Sequence, residues 1–330
     1  MIQRRALTKR AFALLGGATA AANLPGRAWA QEAAYPDHTV NVVCPWAAGG
    51  STDAFARVLC ARLSTDLGKP FVVENRTGAS GTIGMLAAAR MRADGYNLVI
   101  APGSTWSIAP NLYPLQYDTQ RDFAGVGMLA TMPIFALVPR NSPIRSIADY
   151  VALAKRPGHR EVYANPGSGS TPHLAAEMFL QAANIQVTDV GYRGGSPAVQ
   201  GVLAGEAGLI FQPAASVLSF MQSGDLRAIG VTARQRTPVA PEVPTFAEAG
   251  YPDVEVGEDV AMLAPSGTPA AILAKLHAAC TVALAAAEVR ERLAVLGVTP
   301  AVRPMAQWPA FLAADTAKWR DVIRQRNIHL

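Results

Sequence analysis

The chain has 330 residues, half of them hydrophobic and 16% charged; that is enough to bury a core in roughly two domains and excludes a disordered polymer. Its net charge of +5 belongs to the start of the chain: Arg4, Arg5, Lys9, Arg10 and Arg27 lie in the first 30 residues, and beyond them 24 basic side chains face 24 acidic ones. A neutral remainder offers no basic surface for nucleic acid, so no nucleic-acid partner is expected.

Residues 1–30 read as an export signal. A basic start precedes an apolar run over 11–22, a polar break at Asn23-Leu24-Pro25-Gly26, and the small-x-small pattern Ala28-Trp29-Ala30. Cleavage after Ala30 and a periplasmic destination are expected. Arg4-Arg5 loosely resembles a twin-arginine signal, and the general secretory route fits equally. The apolar run is too short for a permanent membrane span. Cys44, Cys60 and Cys280 fall in apolar patterns and read as small buried hydrophobes, with a Cys60–Cys280 bridge left open. No Cys/His cluster has metal-ligand spacing, so no metal is expected.

The mature chain opens with a strand over 40–45, then Trp46-Ala47-Ala48-Gly49-Gly50-Ser51-Thr52-Asp53 leads into a helix over 53–67. Glycines there allow close backbone approach, and a helix start carries unpaired N–H groups and partial positive charge. Ser51 or Thr52 suits the cap of that helix, with Asp53 in its first turn. The same stretch also fits an ordinary turn between strand and helix. A strand over 71–74 completes a βαβ unit, implying parallel strands. Gly78-Ala79-Ser80-Gly81 makes a second Gly-rich turn before a helix over 83–92. A strand over 98–101 runs into a third polar turn, Pro102 to Trp106, containing Thr105. Such strand ends gather along one edge of a parallel sheet, where ligands bind.

The proline-bounded run over 133–139 reads as a crossover into a second domain. That domain alternates a helix over 147–155, a strand over 162–165, the loop Pro166-Gly167-Ser168-Gly169-Ser170-Thr171-Pro172, and a helix ending near Ala183. A strand over 188–192, a helix over 198–203, a strand over 209–212, a helix to Ser223 and a strand over 227–232 follow. The chain then returns to the first domain near 254–264 and closes with helices over 269–287, 289–296 and 306–325.

These loops share one chemistry. Gly, Ser and Thr at helix starts supply neutral donors suited to a carboxylate, sulfate or phosphate. Catalysis needs a base or nucleophile with a partner, and no G-x-S-x-G elbow, phosphate-binding G-x-x-x-x-G-K-[ST] loop or H-E-x-x-H appears. Gly167-Ser168-Gly169-Ser170 also lacks dinucleotide-fingerprint spacing. No catalytic residue and no cofactor is therefore assigned. His173 alone among the histidines follows a Gly/Ser loop; it reads either as a ligand contact or as a histidine bonded to backbone at its helix start. A periplasmic hydrolase using Ser168 or His173 is the rival from another class.

Pro45-Trp46-Ala47-Ala48-Gly49-Gly50-Ser51-Thr52-Asp53 resembles the P-[FY]-x-x-G-G-x-x-D opening of the Bug receptors, the extracytoplasmic solute receptors of tripartite tricarboxylate transporters. The match continues through Glu74-Asn75-Arg76-Thr77-Gly78-Ala79-Ser80-Gly81, Leu112 to Asp118, Arg121-Asp122-Phe123, Tyr163 to Leu174, Tyr192-Arg193-Gly194 and Ala264 to Pro269. The resemblance implies an α/β, type II periplasmic-binding-protein fold of two α/β domains with a ligand cleft between them. Domain 1 is expected over 31–132 plus 255–330 and domain 2 over 133–254. It further implies a receptor, not an enzyme, that captures a small organic acid by cleft closure and presents it to membrane permease subunits. A solute sensor acting on a signalling partner is the runner-up. A monomer is expected.

The matched positions expected at the ligand are Ala48, Gly49, Gly50, Asp53, Gly78, Ala79, Ser80, Ser168, Ser170 and Thr171. Thr105, Gly169, His173 and Tyr192 join them from the same loops. Asp53 has an alternative role at its own helix start. Departures from the family pattern complete the set. Trp46 replaces the usual Phe or Tyr, and Trp106 and Gln212 stand where other residues are common. Glu258-Asp259 replaces a Trp-containing segment, with Asp259 placed among the ligand-binding residues. If the tryptophans line the cleft they favour a flat ligand. An inward-facing Glu258 or Asp259 favours a ligand carrying an amine as well as a carboxylate; otherwise these acids are solvated surface charges.

Overall fold

The first apolar run forms β1 (Val40–Cys44), whose Val40, Val42, Val43 and Cys44 are fully buried. It pairs in parallel with β2 (Phe71–Asn75) on one side and β3 (Asn97–Pro102) on the other. The connection to β2 is α1 (Ser51–Leu67), which buries Phe55, Leu59 and Leu63 and ends at Gly68 in a left-handed cap. The connection to β3 contains a 3-10 turn, Ala79–Gly81, and α2 (Thr82–Ala89). These are the elements of a computed structural model of the chain, which describes residues 35–325 and 327–329. The export signal and its expected cleavage point lie outside the described residues.

A short α3 (Thr119–Asp122) leads into β4 (Phe123–Pro139), a single 17-residue strand. The sequence pattern marked residues 133–139 as a crossover, and no strand was expected over 123–132. Register shifts between Gly125 and Gly127, and between Met128 and Ala130, break the alternation that would have marked a strand. At Gly125 the backbone lies against the Trp308 ring, where an added Cβ would stand 2.2 Å from Cγ. Glycine is required by that contact.

Beyond β4 come α4 (Ile147–Ala154), β5 (Val162–Asn165), α5 (Thr171–Ala182) and β6 (Thr188–Gly191). Next are α6 (Gly195–Leu203), β7 (Leu209–Pro213), α7 (Ala214–Gln222) and β8 (Leu226–Val231). The chain returns through β9 (Gly257–Pro265) and closes with α8 (Ala270–Ala285), α9 (Ala287–Val295), β10 (Thr299–Pro300) and α10 (Trp308–Gln325).

The strand order is β2-β1-β3-β9-β4-β7-β5-β6, with β8 and β10 also on β4. β4 belongs to both halves of this sheet. From Phe123 to Pro133 it pairs antiparallel with β9, and from Ile134 onward with β7 and β8. Separate apolar cores cover the halves. Val43, Val99, Trp106, Leu263 and Trp308 lie in the first, while Tyr150, Phe179, Phe211 and Phe246 pack on one face of the second. α10 serves both, with Leu312 in the former cluster and Trp319 in the latter. Cys44, Cys60 and Cys280 are free and buried, as the apolar patterns implied.

The two strands that cross between halves are tied by one buried residue. The Thr232 amide donates to the Ile134 carbonyl, and the Val256 amide donates to the Thr232 carbonyl. The Thr232 hydroxyl lies 2.5 Å from the Val256 carbonyl and 3.2 Å from that of Ile134. Thr232→Val keeps the shape and removes the hydroxyl, so urea denaturation should show a loss of about 1–2 kcal/mol. An unchanged midpoint would mean the tie contributes nothing.

Candidate ligand-binding cleft

The loop between β1 and α1 is shaped by Asp53. One carboxylate oxygen accepts from the Gly49 amide and from Arg57 Nε, both at 2.9 Å, and the other accepts from Asn75 Nδ2 at 2.9 Å. Asn75 Nδ2 also donates to the Trp46 carbonyl. Burial pushes the Asp53 carboxyl up, but Arg57, the Gly49 amide and Asn75 more than offset it and hold it below the usual carboxylate range. Its oxygens are thus engaged in holding the loop. The structure favours the helix-start role for Asp53 over direct ligand contact. The helix is capped by Gly50 with no side-chain cap, so neither Ser51 nor Thr52 caps it.

Trp46 projects from this loop and donates through Nε1 to Thr105 Oγ1 at 2.9 Å. Thr105 is fully buried behind it, supporting the ring and remaining away from the cleft. The second Gly-rich turn is bent by two left-handed non-glycine residues, Ala79 (φ 44°) and Ser80 (φ 51°). Such strain persists where surrounding structure imposes it. The bend carries Ser80 across to the second half, where its hydroxyl donates to the Ser168 carbonyl at 2.5 Å. Tyr113, part of the family-matching segment Leu112 to Asp118 but not among the expected ligand residues, donates to the same carbonyl at 2.6 Å. The third polar turn is different. Ser104–Ile108 forms a fully buried π-helical turn.

On the second half, the loop after β5 is braced by Asn165, whose side chain accepts from the Gly167 amide and donates to Asp189. Ser170 caps α5 through the His173 amide. His173 Nδ1 accepts from the Gly169 amide at 3.1 Å, and burial lowers its pKa, opposed by Glu177 and Asp189. His173 therefore shapes the loop from behind, the backbone-bonded alternative. Tyr192 borders the cleft mouth with its hydroxyl turned to Glu206 at 2.6 Å.

The halves meet around two connected spaces that share Trp46, Ala47 and Pro166. The outer one, about 570 Å³, is bordered by Gly78, Ala79, Ser80, Ser168 and Tyr192. The inner one encloses about 30 Å³, between Gly50, Ser51 and Thr52 of the first half and Ser170, Gly195 and Gln212 of the second. α1, α6 and α7 all begin at this cavity, and none has a side-chain cap. Among the described residues, Gln212 Nε2 and Ser216 Oγ on its wall are buried with no hydrogen-bond partner; so is Thr171 Oγ1, beside Ser170. Buried donors without partners are costly, and here they cluster at helix N-termini. The arrangement is built to hold an anion. Ala48 and Gly49 are exposed on the loop beside it.

Two further expectations, for Trp106 and Asp259, are corrected. Trp106 is fully buried, donates to the Ala101 carbonyl, and packs at 5.4 Å edge-on against Trp308; it is core, because the π-helical turn points it inward. Asp259 faces away from the cavity, with the Thr131 hydroxyl and Asp315 as neighbours. Strand alternation in β9 puts Glu258 on the cavity instead. Glu258 is 4% exposed and accepts from Ser51 Oγ at 3.1 Å; burial raises its pKa to about 7, Ser51 and Thr52 oppose this, and Asp259 adds to it. Sequence placed an acid at this edge but not its direction.

A carboxyl with a raised folded pKa contributes stability below its unfolded value near 4.5, and that stability is lost as pH rises through about 7. Ligand-free Glu258→Gln should therefore be more stable than the parent at pH 8, by about 2–3 kcal/mol, with the gap closing by pH 5. Equal pH dependence in the two proteins would refute a buried, destabilised carboxylate. Asp53→Ala should instead cost about 2–3 kcal/mol at pH 7 by stranding the Gly49 amide and Asn75. Because the Asp53 pKa is lowered, its contribution is present above about pH 4 and disappears on further acidification. Acid titrations of the two proteins should converge.

Comparisons with known proteins agree with this geometry. A family profile described as "Tripartite tricarboxylate transporter family receptor" matches residues 55–328. Protein BugT of Bordetella pertussis is 33% identical over 299 residues, covering 90% of this chain and 91% of its own. MatC from Rhodopseudomonas palustris, solved with bound malate, aligns with a TM-score of 0.82 and 31% identity over 88% of this chain and 100% of its own. An R. palustris protein solved with adipate aligns with a TM-score of 0.87 and 30% identity over 89% and 99%. With a profile spanning most of the chain and relatives matched nearly end to end, the chain belongs to the tripartite tricarboxylate transporter receptor family of periplasmic solute-binding proteins.

Proposed function

We propose that this protein captures a small carboxylate between its two sheet halves and presents it, closed, to the membrane permease of a tripartite transporter. The observation that carries the reading is the inner cavity. Uncapped helix starts surround it, and the unpartnered Thr171, Gln212 and Ser216 supply donors with few charges. Relatives solved with malate and adipate support a carboxylate as the ligand class. Ala48, Gly49, Gly50, Gly78, Ala79, Ser80, Ser168, Gly169, Ser170, Thr171 and Gln212 form or shape the binding surface, with Trp46 and Tyr192 at its entrance.

The change of partners along β4 supports the expected domain division. Residues 31–132 plus 255–330 act as one lobe and 133–254 as the other, hinged where β4 changes partners and where the chain re-enters β9. The present arrangement is a closed one, latched by Ser80 and Tyr113 on the Ser168 carbonyl. Ligand entry then requires opening about the hinge, and differential contacts in the closed form supply the driving force. No catalytic role is assigned. The contacts of Ser168 and His173 are to other groups, Ser168 Oγ accepting from Asn165 Nδ2 and His173 Nδ1 from the Gly169 amide, which gives no support to a nucleophile–base pair. Export with cleavage after Ala30 places the mature protein in the periplasm, where this family works.

Mature protein beginning at Gln31, unfolded and refolded to strip retained solute, should show a raised melting temperature with at least one small carboxylate. Thr171→Val and Gln212→Leu should each weaken that ligand about tenfold or more, the cost of about one charge-assisted hydrogen bond. Ser80→Ala should chiefly speed ligand release, read by stopped-flow. Absence of any shift across mono-, di- and tricarboxylates would overturn the reading.

A further inference from the structure

The inner cavity is chemically lopsided. Its second-half wall presents donors: Gln212 Nε2, Ser216 Oγ and the starts of α6 and α7. Its first-half wall presents a carboxyl, Glu258, almost completely buried. Among the described residues, the Ser51 and Thr52 hydroxyls donate to that carboxyl, and its charged neighbour is another acid, Asp259. Among the described residues no cation accompanies it at the cavity wall. A buried carboxylate without a cation is an electrostatic deficit that a ligand can fill.

We propose that Glu258 is a specificity-determining residue that makes this receptor select a compact zwitterion, a carboxylate bearing an ammonium group, over a dicarboxylate of similar length. This inference rests on the carboxylate-receptor reading and narrows it. The ligand carboxylate lies at the donor-rich wall, against Gln212 and the helix starts. Its ammonium lies at Glu258, making a charge-assisted hydrogen bond to a carboxyl that is almost completely buried. A second carboxylate at the same place would meet Glu258 across a short, weakly screened distance, so one of the two acids must take up a proton before both can be enclosed. Discrimination thus has an attractive and a repulsive part.

The relatives solved with malate and adipate provide the contrast. Those ligands carry two carboxylates and no ammonium. Here, Ser51 and Thr52 at the start of α1 already have an internal carboxyl as their acceptor. The anion position on the first-half wall is filled by the protein itself.

The test is isothermal titration of stripped mature protein at pH 8 with matched ligands: short α- and ω-amino acids, the corresponding hydroxy acids, and dicarboxylates of equal length. The parent should bind one amino acid at least tenfold more tightly than its dicarboxylate and hydroxy counterparts. Glu258→Gln should lose that preference, weakening the amino acid at least tenfold and improving the dicarboxylate. Glu258→Met, which removes hydrogen bonding as well, should weaken the amino acid at least as much. Dicarboxylate or hydroxy-acid binding as tight as amino-acid binding in the parent would overturn this inference while leaving the receptor reading intact. So would a preference unchanged in Glu258→Gln. Failure of every carboxylate, zwitterionic or not, would instead sink the receptor reading itself.

Discussion

The carboxylate of Asp53 is the fixed point of the cleft. It sits in the first turn of α1, where partial positive charge favours an anion, and it joins three separate pieces of chain: the Gly49 amide, Arg57 and the end of β2 at Asn75. Through Asn75 the constraint reaches the Trp46 carbonyl, and Trp46 in turn leans on Thr105. A loop of glycines and alanines has little side-chain packing to hold it. One buried acid supplies the shape, leaving the helix start and the tryptophan ring facing the second half.

The wall so formed is matched by a different construction opposite. There the loops are held from behind by Asn165 and His173, each bonding to backbone amides of the Gly/Ser loop. Side chains that look functional in sequence thus set the loop geometry, and the groups turned toward the cavity are hydroxyls, an amide and backbone. This division suits reversible binding. Neutral donors preorganised at helix starts hold an anion without the desolvation cost of burying a full positive charge.

The sheet connects the two walls mechanically. β4 runs unbroken through both halves, β9 accompanies it through one, and Thr232 ties the crossings together. α10 also joins the halves, with Leu312 in one core and Trp319 in the other. At the cleft mouth, Ser80 and Tyr113 from one half both donate to a single carbonyl of the other, that of Ser168.

By itself the sequence determined the alternation of strands and helices, the Gly/Ser/Thr loops at helix starts, the absence of a nucleophile–base motif and the family. The elements and loops are local, and periodicity and turn chemistry record them, while the family is legible in the order of its matching segments. Most element ends agree to within a few residues; Ser168, Ser170 and the Gly78–Ser80 turn, which border the cleft, stand out by their loop chemistry, and Gln212 by its departure from the family pattern. The direction of particular side chains was decided only in three dimensions. Bulges hid the first half of β4; a π-helical turn buried Trp106 against Trp308; strand alternation in β9 sent Glu258 to the cavity and Asp259 away from it. A one-residue change of phase moves a side chain to the opposite face of a strand, and no local pattern fixes that phase when both faces are covered. The chemistry of the loops was therefore written in the chain, while the acid that gives the cavity its asymmetry was selected by the packing of β9 between β3 and β4.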